Sequence, residues 1–215
     1  MRWTPCGPQA VLIQIEEPLG PALLARMRAI SHLLETEQPE EIVDFAIAFD
    51  KVLLEFRAGE DIPAQVEIWT HWFAALAPIA SDAARLHEIP LVYDGADLAE
   101  IAERSGMSPA EVVELHAAPI YEVASLGFAP GFPYLVGLDP RLHTPRRANP
   151  RLRVPIGSVA IGGSHTGIYS VESPGGWNLL GTTDVRMFDP ARCEPDESAM
   201  FLLRPGDRVK FLPVD

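Results

Sequence analysis

Lysine is nearly missing from this chain. Only 2 of its 17 basic residues are lysines, against 30 acidic residues, and the formal net charge is −13. A surface this acidic repels polyphosphate and anionic lipid, so no nucleic acid and no membrane partner is expected. No run of about 18 apolar residues occurs, so no transmembrane helix is expected either. The opening MRWTPCGPQAVLIQ lacks the long apolar stretch and small-residue cleavage site of a secretory signal. Cysteine is scarce: Cys6 and Cys193 stand near opposite ends and read as free thiols of a cytoplasmic protein rather than a disulfide. The sequence contains no HExxH, CxxC, GxSxG or GxGxxG, and its six histidines are scattered without ligand spacing. No metal site is expected, and no nucleophilic triad can be assembled.

Proline, by contrast, is abundant at 21 residues, roughly twice the ordinary share. Its distribution divides the chain. Residues 1–88 carry helix and strand periodicity. Ala10–Ile15 reads as a strand, Pro21–Glu35 as a helix with an apolar face, and Glu41–Phe49 and Lys51–Phe56 as a hairpin. Ile62–Ala77 reads as a second helix and Ile89–Tyr93 as a further strand. The order β-α-β-β-α-β suggests a ferredoxin-like α/β sandwich. A short helical pair follows over 97–116, with Gly106 as a stop and Ser108-Pro109-Ala110-Glu111 as a capping box. From Pro119 onward, prolines and glycines punctuate short β-type runs. These are Tyr121–Phe128, Ser158–Ile161, Gly167–Val171, Trp177–Gly181, Val185–Phe188 and Arg208–Leu212, which together suggest a β-barrel or sandwich over 89–215.

Charge and rigid loops mark where chemistry is placed. Between Val123 and Val171 the one acid is Asp139, opposed by Arg141, Arg146, Arg147, Arg151 and Arg153. Such a stretch is either an anion site or acidic-partner surface, or an arginine-laced loop that pairs with the protein's own acids. The loop Gly127-Phe128-Ala129-Pro130-Gly131-Phe132-Pro133-Tyr134 is either a pocket wall for a small cyclic ligand or a core plug. Gly157–Gly167 faintly resembles a phosphate loop, but Gly163 stands where a lysine is required, so ATP is not bound through a P-loop here. Its Ser164-His165-Thr166 offers hydroxyl and imidazole groups, with His165 the candidate for proton transfer, although a lone histidine is more often structural. Glu172-Ser173-Pro174-Gly175-Gly176-Trp177 is either a hairpin turn with a core tryptophan or a set of exposed amides beside a stacking ring.

These segments carry a resemblance. GFAPGFPYLVGLD (127–139), TPRR (144–147), RVPIGSVAIGGS (153–164), TGIY (166–169), ESPGGWNLLG (172–181), FDP (188–190) and PGDRVKF (205–211) look like the B subunit of bacterial 5-oxoprolinase. That family is also called allophanate hydrolase subunit 1 or the Kip-type inhibitor of a sporulation histidine kinase. It resembles the C and D subdomains of the urea carboxylase carboxyltransferase unit. The match spans essentially the whole chain. It implies an α+β protein: an N-terminal α/β sandwich domain and a C-terminal cyclophilin-like β-barrel. It also implies two partners, the C subunit (allophanate hydrolase subunit 2) and the A subunit. With them ATP would be used to open a lactam, 5-oxoproline, to glutamate. By motif the ligand-binding positions are Phe128, Phe132, Tyr134, Arg146, Arg147, Ser164, His165, Thr166, Ser173, Gly175, Gly176 and Trp177.

Two departures bear on substrate. Members of the family usually read SQTG where His165 stands here, and GRTP where Gly181-Thr182-Thr183-Asp184 stands. If the missing arginine serves the pocket, a small anionic substrate loses a charge-assisted hydrogen bond worth about 1.5–3 kcal/mol. Two other roles compete with that of a lactam-hydrolase component. One is inhibition of a sensor histidine kinase. The other is a urea- or allophanate-type carboxyltransferase or amidolyase component, which would need a biotin carrier from another chain, because neither lysine follows a methionine.

Overall fold

The computed structural model describes residues 1–79, 84–194 and 197–215. It divides into two compact units, Met1–Ala83 and Ala84–Asp215.

The first unit runs β1 (Arg2–Pro5), β2 (Ala10–Gln14), α1 (Pro21–Glu37), β3 (Ile42–Ala48), β4 (Lys51–Phe56) and α2 (Ile62–Ala75). Its antiparallel sheet has the order β1-β2-β4-β3. Alternation decides which face is covered. Val11 and Ile13 of β2, with Val52, Leu54 and Phe56 of β4, turn toward the helices and pack on Leu23, Met27, Ile30, Leu34, Val66, Trp69 and Phe73. Each helix begins with proline in its first turn, and the Asp61 carboxylate caps α2 by accepting from the Ala64 amide.

The fourth strand anticipated for this sheet is not in it. The run at Ile89–Tyr93 belongs to β5 (Leu86–Val92) of the second unit, and β1 occupies the edge beside β2. β1 escapes pattern reading because its four residues are all exposed and end in a proline, which an edge strand tolerates. β5 has a stronger partner. It pairs in parallel along its whole length with β13 (Arg208–Val214), and Ile89 and Leu91 join Val209 and Phe211 in one core.

After β5 come α3 (Leu98–Ser105), α4 (Pro109–Ala117), β6 (Tyr121–Leu126), β7 (Pro133–Val136), β8 (Arg151–Val154), β9 (Ser158–Gly162), β10 (His165–Ile168), β11 (Ser173–Gly175) and β12 (Asn178–Thr182). Seven strands close a barrel in the order β10-β7-β6-β13-β5-β12-β9, and β8 and β11 form a separate two-stranded ribbon. The expected strand at Val185–Phe188 is irregular backbone instead. Met187 is buried in the barrel core, and its carbonyl accepts from the Leu202 amide, so this segment is held by packing and single cross-links rather than a ladder.

The barrel has an inside and a second, outer core. On β9, Val159 and Ile161 point into the lumen with Leu91, Val123, Leu135 and Ile168. Ala160 between them points outward, and with Leu179 of β12 it joins Phe132, Val154, Tyr169 and Trp177 in a satellite cluster under the ribbon. Every residue of β9 is therefore buried, although a barrel strand ordinarily wets one face. The candidate cavity lies in this outer cluster.

The helical pair seals one part of the barrel. Gly106 ends α3 in the left-handed region (φ 68°), and Ser108 and Glu111 make the capping box of α4. Lys210, one of the two lysines, caps the other end of α4 by donating to the Ala117 and Ala118 carbonyls, both at 2.6 Å. His116 is wholly buried and fully bonded. Thr166 donates its hydroxyl to the Ala160 carbonyl at 3.0 Å, so it accepts from His116 Nε2 at 2.9 Å, and His116 Nδ1 then accepts from the Tyr93 hydroxyl at 2.8 Å. Burial pushes the His116 pKa down to about 3. An unfolded histidine titrates near 6.5, so below that pH the unfolded chain binds a proton that the folded chain refuses. This contribution to stability is complete above about pH 6.5 and is lost as pH falls toward about 3. Denaturant titrations should show stability falling by about 1.4 kcal/mol per pH unit from this residue at pH 4–6. In His116→Gln the loss of stability between pH 7 and pH 5 should be correspondingly smaller; an identical pH slope in the two proteins would refute the assignment.

Candidate functional site

The rigid loop between β6 and β7 turns on short hydrogen bonds. Gly127 N donates to Phe132 O at 3.1 Å, Ala129 N to Gly127 O at 2.8 Å, and Phe132 N to Ala129 O at 3.0 Å. These bonds force Phe128 to φ 68°, and its ring stays 61% exposed. A bulky side chain in that region costs about 1–2 kcal/mol. The ring stands edge-on to Phe132 (centroids 5.4 Å apart) and to Tyr169 (6.2 Å). Phe132 in turn meets Trp177 at 5.5 Å, and Trp177 meets Tyr134 at 5.7 Å.

These rings wall a partly open cavity of about 160 Å³, lined also by Arg146, Arg147, Pro150, Gly175 and Gly176. It is smaller than the ~300–1,000 Å³ of drug-sized sites and suits a small molecule. Glycine is required where rings press on backbone. A Cβ on Gly162 would lie 2.7 Å from the Trp177 indole, and one on Gly175 would run into the Tyr169 hydroxyl. Burial raises the pKa of Tyr169, so it stays a neutral phenol at physiological pH.

The five arginines separate by their partners. Arg141 pairs with Asp139 (2.8 Å) and Arg153 with Glu172 (2.6 Å). Arg147 and Arg151 both reach Oδ1 of Asp97, at 2.8 and 2.6 Å, and Arg147 also lies 3.3 Å from Glu100. Asp97 is almost fully buried, and its Oδ2 accepts from the Leu179 amide at 2.7 Å. Among the described residues Arg146 alone of the five has no carboxylate partner. Its guanidinium carbon sits 5.8 Å from the centroid of the Trp177 ring. Most of the arginine stretch therefore neutralises the protein's own acids, and one cation is left at the cavity.

Of the positions expected from motifs, Phe128, Phe132, Tyr134, Arg146, Arg147, Gly175, Gly176 and Trp177 come together here. Arg147 lines the cavity, but its charge is committed to Asp97, so it braces the wall. Thr166 is buried within the His116 network and turns away from solvent. Ser164 and His165 stand at the β9–β10 hairpin, outside the cavity lining, and their segment forms two paired strands rather than a phosphate loop. Burial, helped by the charges of His143 and Arg146, lowers the His165 pKa. Ser173 lies on β11 with its hydroxyl buried, next to the lining but not in it. The departures at Thr182 and Asp184 are also elsewhere: with Pro90, Val92 and Val214 they line a different groove, where Thr182 donates to the Asp94 carboxylate at 3.0 Å. Neither lines the aromatic cavity. Sequence reasoning misses Tyr169, Pro150 and Asp97. Tyr169 is visible as the aromatic of TGIY, whereas nothing local distinguishes Asp97 from an ordinary helix-start acid.

Among the described residues no group of three or more His, Cys, Asp or Glu is placed to hold a metal ion, and no helix is long and apolar enough to cross a membrane.

The closed seven-stranded barrel, with a cavity on its outer wall, is a fold seen in solved structures. The K. lactis urea amidolyase shares the fold, at TM-score 0.81 and 22% identity over 99% of this chain and 15% of that one. Residues 1–198 match the family described as carboxyltransferase domain, subdomain C and D, and the chain belongs to that family. The 5-oxoprolinase B subunit of Escherichia coli O157:H7 is 43% identical over 214 residues, covering 96% of this chain and 93% of that protein. The Haemophilus influenzae protein of the same name is 36% identical, covering 99% and 97%. The crystal structure of TTHA0988 superposes with TM-score 0.81 at 39% identity over 96% of this chain. This chain spans only 40% of the length of that solved chain.

Proposed function

We propose that this chain is the B subunit of a 5-oxoprolinase complex and that its aromatic cavity holds the lactam substrate. The family membership and the near-full-length similarity to two proteins named as 5-oxoprolinase B subunits support this reading. The single observation that carries the site is Arg146, unpaired, over Trp177 at the mouth of a small aromatic cavity. 5-Oxoproline is a flat five-membered ring bearing one carboxylate. Its ring suits the walls of Phe132 and Trp177, and its carboxylate suits the guanidinium.

Opening the ring adds water across the C–N bond, leaving a carboxylate and a free amine. A lactam carbonyl is a poor electrophile, so ATP supplies the drive. Transfer of its terminal phosphoryl group to the lactam oxygen, with ADP leaving, activates the carbon; water adds there, the C–N bond breaks to free the amine and leave an acyl phosphate, and a second water releases phosphate and leaves the carboxylate. This chain contributes substrate binding, while the A and C subunits bind ATP and supply the partner surfaces. The chain alone is inactive and acts in the cytoplasm. Its barrel is of the cyclophilin-like kind. Its N-terminal unit places β4 between β2 and β3, with α1 connecting β2 to β3, as a ferredoxin-like sandwich does.

Arg146→Ala should lower kcat/KM of the assembled complex for ATP-dependent glutamate formation by about 10- to 100-fold, chiefly through KM, since one charge-assisted hydrogen bond is lost. Arg153→Ala, which removes an exposed pair with Glu172, should leave the rate unchanged. Equal rates in Arg146→Ala and wild type would remove Arg146 from the site, and a wild-type chain inactive with its cognate partners would remove the function.

A further inference from the structure

Among the described residues, three other than glycine have positive φ: Gln38, Phe49 and Phe128. Gln38 is the left-handed cap that ends α1, and Phe49 turns the β3–β4 hairpin, where Ala48 pairs with Lys51. Both are turn requirements. Phe128 is different. Gly127 precedes it and Gly131 follows within the same loop, yet the left-handed position between them falls on a phenylalanine whose ring is mostly solvent-exposed. Core packing does not explain it. The ring lies at the cavity, edge-on to Phe132 and Tyr169, on walls that are otherwise fixed. A conformation kept at a cost, at a binding site, by a side chain that gains little burial, is the pattern of a residue held for its ligand.

We infer that Phe128 is the specificity-determining residue of the cavity: its strained backbone holds the ring over the mouth, where it covers a flat ring ligand and discriminates against open-chain anions. The inference rests on the lactam reading above. The ligand's ring closes the aromatic enclosure from inside, and an acyclic dicarboxylate presents no face to Phe128.

Two substitutions separate the backbone from the ring. Phe128→Ala removes the ring and keeps a Cβ in the left-handed region. Phe128→Gly removes the ring and relieves the backbone as well. Thermal unfolding of the full chain should place Phe128→Gly above Phe128→Ala by a few degrees, the reverse of the usual order of these residues. Calorimetric titration should show both variants about tenfold weaker than wild type for 5-oxoproline and within about twofold of wild type for glutamate. Phe128→Ala equal to or more stable than Phe128→Gly would overturn the strain. Wild-type affinity for 5-oxoproline in both variants would overturn the role of the ring while leaving the cavity's ligand in place. A wild-type chain that binds no 5-oxoproline would overturn the ligand itself, and this inference with it.

Discussion

Asp97→Ala should cost about 3–5 kcal/mol of unfolding free energy and lower the melting temperature by roughly 8–15 °C. Asp97 is a single residue with three tasks. Its Oδ1 holds Arg147 and Arg151, its Oδ2 holds the Leu179 amide of β12, and its own amide donates to the Leu179 carbonyl at 3.1 Å. Removing its carboxylate strands two guanidiniums that are only 31% and 25% exposed, and it leaves a buried N–H with no acceptor. Part of the Arg147 charge can turn to Glu100 or to water, which keeps the loss near the lower bound for that residue; Arg151, with Nη1 already buried and unbonded, has less freedom. Asp97→Asn retains an acceptor for Leu179 and should lose less. Glu100→Ala removes an exposed partner and should stay within about 0.5 kcal/mol of wild type. Denaturant unfolding of the three variants is the measurement. A loss under about 1 kcal/mol for Asp97→Ala would show that the arginines find water without penalty.

That contact also explains how much of the site could be read in advance. The aromatic loop at 127–134 and the Pro-Gly-Gly-Trp turn were legible because their chemistry is local: glycines and prolines at fixed offsets dictate rigid turns, and the aromatics between them share one cavity. Charge was legible only in sum. Counting arginines over 141–153 identified a cationic stretch, but which arginine is spare depends on Asp97, about fifty residues earlier, and on Glu172, which lies across the ribbon from β8. Thr166 illustrates the opposite failure. It sits one residue from a plausible imidazole, and only the alternation of β10 decides that its hydroxyl turns inward to His116.

The strands followed the same division. β9 and β13 carry enough apolar residues between turn signals to be seen. β8 and β11 are three or four residues long, bear arginine and proline, and exist because each pairs with the other above the satellite cluster. Long-range pairing, not propensity, makes them strands. The overall −13 charge belongs to the same picture: four of the five arginines over 141–153 pair with the chain's own carboxylates, and the fifth, Arg146, lies at the candidate cavity.

Gly162→Ala should couple stability to binding. An added Cβ would stand 2.7 Å from two atoms of the Trp177 indole and 2.8 Å from a third, so the ring must move. Its routes are restricted. Trp177 is 6% exposed and edge-packed against Phe132 and Tyr134, and the next residue, Asn178, is tied to the Pro145 carbonyl at 3.0 Å. Overpacking of this kind costs about 1–3 kcal/mol. The open direction for the indole is the cavity, so the ring should fill the volume proposed for the lactam and pull away from Arg146. Affinity for 5-oxoproline should fall at least about tenfold even in the folded fraction. A double-mutant cycle isolates the cause. In a Trp177→Leu background the clash is absent, so adding Gly162→Ala should cost less than about 0.5 kcal/mol more, giving a coupling energy of about 1 kcal/mol or above. Additive losses in that cycle would mean that Gly162 is needed for its backbone and not for the room it leaves Trp177.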